Sequence, residues 1–307
     1  MTMRLAFNED QATFATVLAQ MLSDDTEAGF RTVDGWGRFD YGHALDARLE
    51  EAGFFDAARE DDLGAVAAAA MVHEVAKAPV VIECAATALL RPFLGQELPR
   101  PLAVRVDDAP GAIRFLPQAR SLLSITDAGI RWAQIEGRGA PVESLYAYPM
   151  GMLDDAPDWQ PLDVDPNAVR TLWQVALAAE LGGALAGGLA SVLEHVRERA
   201  QFGRPLGSFQ GIQHRLAEDA VWIEGAQLLT LRAADSRDPA DAALALGHLQ
   251  SHATRIGYDL HQFMGAMGLT LEHPLHRWTY RARALRAEMG GAPQALLDYA
   301  DARWDKR

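Results

Sequence analysis

Residues 197–210 read Arg197-Glu198-Arg199-Ala200-Gln201-Phe202-Gly203-Arg204-Pro205-Leu206-Gly207-Ser208-Phe209-Gln210. Arginines crowd the end of a helical pattern, a glycine–proline turn breaks it, and Ser208 offers a cap for a new helix. Cations at a helix C-terminus complement its dipole, which accounts for them structurally. An arginine beside an exposed helix start can also grip a phosphate, through bidentate hydrogen bonds and free backbone N–H groups. Upstream, Asp165-Pro166 is a cap followed by proline at the first helical position, and leucines at 177, 181, 185, 189 and 193 recur every four residues towards Glu198. Downstream, the helix after Ser208 carries Phe209, Ile212, Leu216, Ala220 and Ile223. Asp238-Pro239 starts another, running to about Met267, and Pro274 and Pro293 each begin a further segment. Long helices with short connections predict an antiparallel four-helix bundle over residues 164–307.

The N-terminal part, residues 1–97, also reads as helical. Asn8 and Gln11 have capping-box spacing, and Phe14, Val17, Leu18, Met21 and Leu22 follow on one face. Further helices fit Ala44–Ala52, Asp62–Lys77 and Val80–Arg91. Between the helical parts, residues 98–163 carry many prolines and glycines. Leu102–Val106, Ala112–Phe115, Ser121–Thr126 and Ile130–Ile135 suit short strands there. The predicted fold class is mainly α with a small β module, in the order helical, β-rich, helical.

The 307 residues allow about two domains at roughly 150 residues each, or three smaller ones. Hydrophobic residues make up 49% and charged residues 23%, which excludes a disordered chain. Against 28 basic side chains stand 42 acidic ones, a net charge of -14 that disfavours nucleic acid or an anionic membrane as a partner. Cys84 is the only cysteine, so no intrachain disulfide forms, and its apolar setting suits a buried, inert thiol. Residues 1–11 show no secretory signal, and Val175–Leu193, the most apolar stretch, reads as a buried bundle helix carrying Glu180. A cytoplasmic protein is the expectation. His248 and His252 share a helix face, but without a metalloprotease glutamate or a third ligand they read as polar surface residues.

A second segment complements the first: His261-Gln262-Phe263-Met264-Gly265-Ala266-Met267-Gly268, leading to Pro274 and Arg277. Its small residues permit close approach of backbone to a neighbour or ligand. Together the two segments resemble the C-terminal domain of the acyl-CoA dehydrogenase flavoproteins. That family's Arg-x-x-Phe-Gly turn, Phe-Gln helix start and Gln-x-x-Gly-Gly-x-Gly stretch match Arg199, Phe202, Gly203, Phe209, Gln210, Gln262, Gly265 and Gly268, with Ala266 replacing one glycine. The likeness is specific over residues 165–289 and looser upstream, where Leu49-Glu50-Glu51-Ala52-Gly53-Phe54 suits an early helix end. It implies FAD held in a groove completed by two subunits. It assigns Arg199 to the pyrophosphate, Gln210 to the adenosine side, and the Gln262–Ala266 backbone and amide to ribose and phosphate. The residues it implies for cofactor binding are Arg199, Gln201, Phe202, Gln210, Gln262, Phe263, Met264, Gly265 and Ala266.

The family reaction removes an α proton from an acyl-CoA and passes a β hydride to the flavin, which requires a carboxylate base. The two family positions for that base fall on Gly290 and Trp173, neither of which accepts a proton. Glu288 is two residues off, and two residues on a helix turn a side chain by about 200°, which sets it on the wrong face. Glu180 is seven residues off. The Thr-Glu-x-x-x-Gly-Ser and Trp-x-Ser/Thr segments that line the flavin ring in the family are missing, since Arg131-Trp132-Ala133 lacks the hydroxyl. A preserved nucleotide grip without base or ring platform resembles the short, degenerate subunit of α2β2 steroid-side-chain acyl-CoA dehydrogenases. Met267 to Arg277 and Gly290 to Pro293 carry that likeness. It implies no catalytic residue in this chain, a catalytic partner subunit, an acyl-CoA substrate and an electron-transfer flavoprotein as acceptor. A self-sufficient homo-oligomer using Glu288, and a non-catalytic scaffold of the same fold, are the alternatives.

Overall fold

The computed structural model describes residues 7–28 and 39–304. Nine α-helices and nine strands are assigned among them. Residues 1–6, which begin the stretch read as lacking a signal, lie outside the described residues.

Helix α1 (Glu9–Ala28) starts at the expected capping box: Gln11 N–H donates to Asn8 Oδ1 at 2.7 Å, and Asn8 N–H to Gln11 Oε1 at 3.1 Å. Leu18 is fully buried, whereas Val17, expected on the same face, is 48% exposed. Helices α2 (His43–Glu51) and α3 (Gly64–Ala76) follow. The helix expected over Val80–Arg91 is shorter: α4 spans only Ala85–Leu89. Two interactions hold Val80–Glu83 extended. The Val81 N–H donates to Asp40 O at 2.8 Å, and the buried Glu83 carboxylate caps α4, accepting from the N–H groups of Ala86 and Thr87 and, across the chain, of Leu102. Three β-branched residues in a row favour that extended entry.

The β module holds two small sheets. In one, β1 (Leu102–Val106) pairs parallel with β3 (Ser121–Thr126), followed antiparallel by β4 (Gly129–Gln134) and β7 (Gln160–Leu162). In the other, β2 (Ile113–Arg114), β6 (Met150–Leu153) and β5 (Gly139–Val142) are antiparallel. The strands β5, β6 and β7 were not expected: they are three or four residues long, each with a glycine or proline and without alternation, so their pairing is tertiary in origin.

Helix α5 (Pro166–Glu198) begins at the predicted cap, Asp165 Oδ1 accepting from Asn167 N–H at 3.0 Å. It is apolar and long enough to cross a membrane, but 83% of its most apolar window is buried inside the protein. It packs against α3, α6 (Gln210–Ser236), α7 (Pro239–Met264) and α8 (Leu275–Leu285), and α9 (Gly291–Trp304) closes on α7. Close contact explains its glycines. A Cβ at Gly183 would stand 2.1 Å from the His73 carbonyl oxygen, and one at Gly187 2.4 Å from that of Lys77. Helix α8 locks onto the end of α3. Trp278 Nε1 donates to Lys77 O at 2.9 Å, and buried Arg281 donates to the carbonyls of Ala76 and Ala78 at 3.2 and 2.7 Å. One continuous apolar core therefore runs from Leu18 to Leu285 through both helical parts and the first sheet.

Candidate functional site

The two sequence segments singled out above meet at one end of the bundle. Helix α5 ends at Arg199, and the chain turns through a minimal hairpin, β8 (Ala200–Gln201) and β9 (Arg204–Pro205). Phe202 sits at its tip with φ +54° and is 89% exposed. Ser208 does not cap α6: its hydroxyl donates to Pro205 O at 2.7 Å, and Phe209 takes the N-cap position, its ring under the Arg204 guanidinium at 4.0 Å. The start of α6 is fastened to the end of α7 by Arg215, which binds buried Asp259 and lies 5.7 Å over the Phe263 ring. The end of α5 touches the loop after α7, where Ser191 Oγ and His273 Nε2 are 3.3 Å apart.

Arg199, Gln201, Phe202, Gln210, Gln262, Gly265 and Ala266 are exposed on this end, and Phe263 is half-buried. Among the described residues, no hydrogen bond or ion pair engages the side chains of Arg199, Gln201, Gln210 or Gln262. Met264 differs: it is 2% exposed and points into the core. The backbone of this segment also offers less than expected. Residues 262–264 lie within α7, and the Gly265 N–H donates to His261 O, so these N–H groups are spent in the helix. What the segment presents outward is the Gln262 amide. The surface thus offers a guanidinium, side-chain amides and one aromatic ring, a set suited to a phosphorylated, ring-bearing ligand held from outside.

The interior tells the opposite story. Arg114, on β2 and buried, donates from Nη1 to both Glu180 oxygens at 3.1 Å and from Nε to Glu288 Oε1 at 2.9 Å. Tyr148 donates its hydroxyl to Glu180 Oε1 at 2.7 Å, and burial pushes the phenol pKa well up. Despite the desolvation that disfavours its charge, Arg114 is held cationic by Glu180 and Glu288. Trp173, at one expected base position, is buried with its ring 6.0 Å from the Arg114 guanidinium carbon. Gly290, at the other, has φ +82° in the turn between α8 and α9. Glu288 points inward rather than away. Helix α8 ends at Leu285 and Met289 takes φ +54°, so the 100° spacing of a continuous helix does not apply. The cavity bordered by Arg114, Trp173 and Glu180 measures about 10 Å³, too small for a ring or acyl chain.

Sequence reading missed Arg114 as the organiser. Its signal was present: a lone glutamate in an apolar helix, Glu180, demands a cation, and Arg114 is the charged residue in the apolar run Ala112–Phe115. One other residue matches the reading. Cys84 is buried, and burial raises its thiol pKa. His252 Nδ1 lies 2.8 Å from His248 O, and among the described residues no cluster suits a metal.

Residues 173–299 match the family described as acyl-CoA dehydrogenase, C-terminal domain. Over those residues the chain is similar to the C-terminal domain of the acyl-CoA dehydrogenases. It is 36% identical over 141 residues to acyl-CoA dehydrogenase IpdE2 of Mycobacterium tuberculosis, a match covering 45% of this chain and 43% of that protein. The chain therefore spans less than half the length of that curated relative. Two solved structures share the fold over almost the whole chain. The ChsE4-ChsE5 complex from Mycobacterium tuberculosis gives a TM-score of 0.74 at 19% identity, covering 96% of this chain and 97% of that one. The Tcur3481-Tcur3483 steroid ACAD gives 0.73 at 21% identity, also over 96% and 97%.

Proposed function

We propose that this chain is one subunit of a heteromeric, FAD-dependent acyl-CoA dehydrogenase, and that its bundle end completes FAD sites on a catalytic partner. The observation that carries this reading is Arg114. Of the carboxylates around the small cavity between the β module and α5, Glu83 is held by the N–H groups of Ala86, Thr87 and Leu102, and one guanidinium engages the other two, Glu180 and Glu288. A base worth roughly 10²–10⁴-fold in rate must be free to take a proton. None of the three is.

When bound, FAD accepts the hydride that leaves the β carbon of an acyl thioester. The residues here fit the nucleotide portion of that cofactor and not its ring. Arg199 would neutralise pyrophosphate charge, and its cation persists at any working pH. Gln210 and Gln262 would hydrogen-bond the adenosine and ribose side, and Phe202 would bury its exposed ring against the ligand or the partner. The partner supplies the base, the ring platform and the acyl pocket.

The likeness to two heteromeric or steroid-directed structures supports an α2β2 assembly acting on a CoA thioester with a bulky, steroid-like side chain. An electron-transfer flavoprotein is the acceptor this reading expects, and the cytoplasm its compartment. Co-expression with a neighbouring dehydrogenase gene product, followed by native mass spectrometry, tests the assembly. The expected species is a 2:2 complex carrying FAD, from which Arg199→Ala in this chain strips flavin. A fully flavinylated homo-oligomer of this chain would refute the reading.

A further inference from the structure

Helices α7 and α8 enclose an open cavity of about 240 Å³ on the flank of the bundle, apart from the hairpin. Its lining carries Arg283 and Arg286 and no carboxylate, in a chain where acidic residues outnumber basic ones 42 to 28. Among the described residues, twelve other arginines, Arg170 and Arg255 among them, pair with Asp or Glu. Arg283 is exposed and, among the described residues, makes no hydrogen bond or ion pair. Arg286, also exposed, donates from Nη1 to Thr254 Oγ1 at 2.7 Å, which orients its guanidinium along α7. A helix C-terminus favours cations. It does not by itself require a hydroxyl-lined recess facing them.

That recess is built. Gly257 leaves the wall open, since a Cβ there would meet nothing within 4 Å. Tyr280 adds a hydroxyl from α8, while that of buried Thr279 donates to Leu275 O at 3.3 Å and pairs with His261 Nε2 at 2.9 Å. Tyr258 stands at the rim, 74% exposed. Two forked cations, the Tyr280 hydroxyl and an adjacent bare aromatic face form a set that recognises a phosphate joined to a flat ring.

We infer that this cavity binds a small phosphate monoester of the nucleotide class, with the phosphate between Arg283 and Arg286 and the base against Tyr258. The site is distinct from the hairpin surface and does not depend on the subunit assignment.

Calorimetric titration of the purified chain with inorganic phosphate, ribose 5-phosphate, AMP and adenosine tests it. Binding is expected for the three phosphate-bearing probes, tightest for AMP, and not for adenosine. Arg283→Gln removes a side chain that holds nothing in the fold, so the melting temperature should stay put while affinity for all three drops about tenfold. Tyr258→Ala should bring AMP down to ribose 5-phosphate without changing phosphate itself. Arg199→Gln should change none of them. No saturable binding at millimolar phosphate or AMP would overturn the inference. So would affinities unchanged in both Arg283→Gln and Arg286→Gln, or a loss caused equally by Arg199→Gln.

Discussion

At Arg114 one side chain satisfies two carboxylates and, through Glu180, a tyrosine hydroxyl. Removing one member of a buried ion pair leaves the other charged and desolvated, which costs about 3–5 kcal/mol. Arg114→Met should therefore lower unfolding free energy by that amount in urea titrations. Adding Glu180→Leu should recover a large part of it, because the stranded charge is gone. Asp219 is a second buried carboxylate, 1% exposed on the core face of α6, and among the described residues neither oxygen has a hydrogen-bond partner. Burial raises its pKa from 3.8 to about 6, partly offset by Arg255 and Arg215. The folded state then binds more protons than the unfolded state between those values, so its contribution to stability is lost as pH rises through 6. Asp219→Asn should be more stable than the parent at pH 8, by on the order of 1 kcal/mol, and the gap should close near pH 4. Urea midpoints at the two pH values measure it. His273, its pKa lowered to about 4 by burial, acts in the other direction: stability falls as pH drops from 6.5 towards 4. Comparing variant with parent at each pH cancels that background. Sequence showed that Glu180 needs a cation but not which one, because Arg114 lies 66 positions from Glu180 and 174 from Glu288, while the exposed residues of the hairpin were named from local motifs alone.

The elements show where local signals suffice. Capping at Asn8, Asp165 and Asp238 was readable and is realised by side-chain hydrogen bonds, Asp238 Oδ1 accepting from Ala240 and Asp241 N–H at 2.9 and 3.1 Å. Val80–Glu83 escaped, because a buried glutamate and a single bridge to Tyr41 override what periodicity allows. Glycine gives a contrast within one bundle. On α5, Gly183 lies where a Cβ collides with the backbone of α3, so Gly183→Ala should destabilise by about 1–3 kcal/mol. On α6, Gly225 faces open space, and Gly225→Ala should stabilise by about 0.5–1 kcal/mol through helix propensity. Thermal melting of the two variants reads both signs. The same contrast explains why the most apolar stretch of the chain is a core helix: its small residues are where other helices press.

Across the whole molecule, a buried network of Arg114, Glu180 and Glu288 and an open end bearing Arg199, Gln210 and Gln262 coexist in one fold. The order helical, β-rich, helical was legible because proline, glycine and periodicity mark it. The buried network was not, since sequence indicated only that expected residues were missing and not what replaced them. Structure supplies the replacement, an arginine bound to two glutamates, in a space that leaves about 10 Å³ beside it. The most direct measurement is acyl-CoA-dependent bleaching of flavin absorbance by this chain alone, given excess FAD and a CoA thioester that the assembled enzyme oxidises. The account predicts no bleaching. Bleaching at a rate that disappears in Glu288→Gln would show that this chain carries its own base and would contradict it.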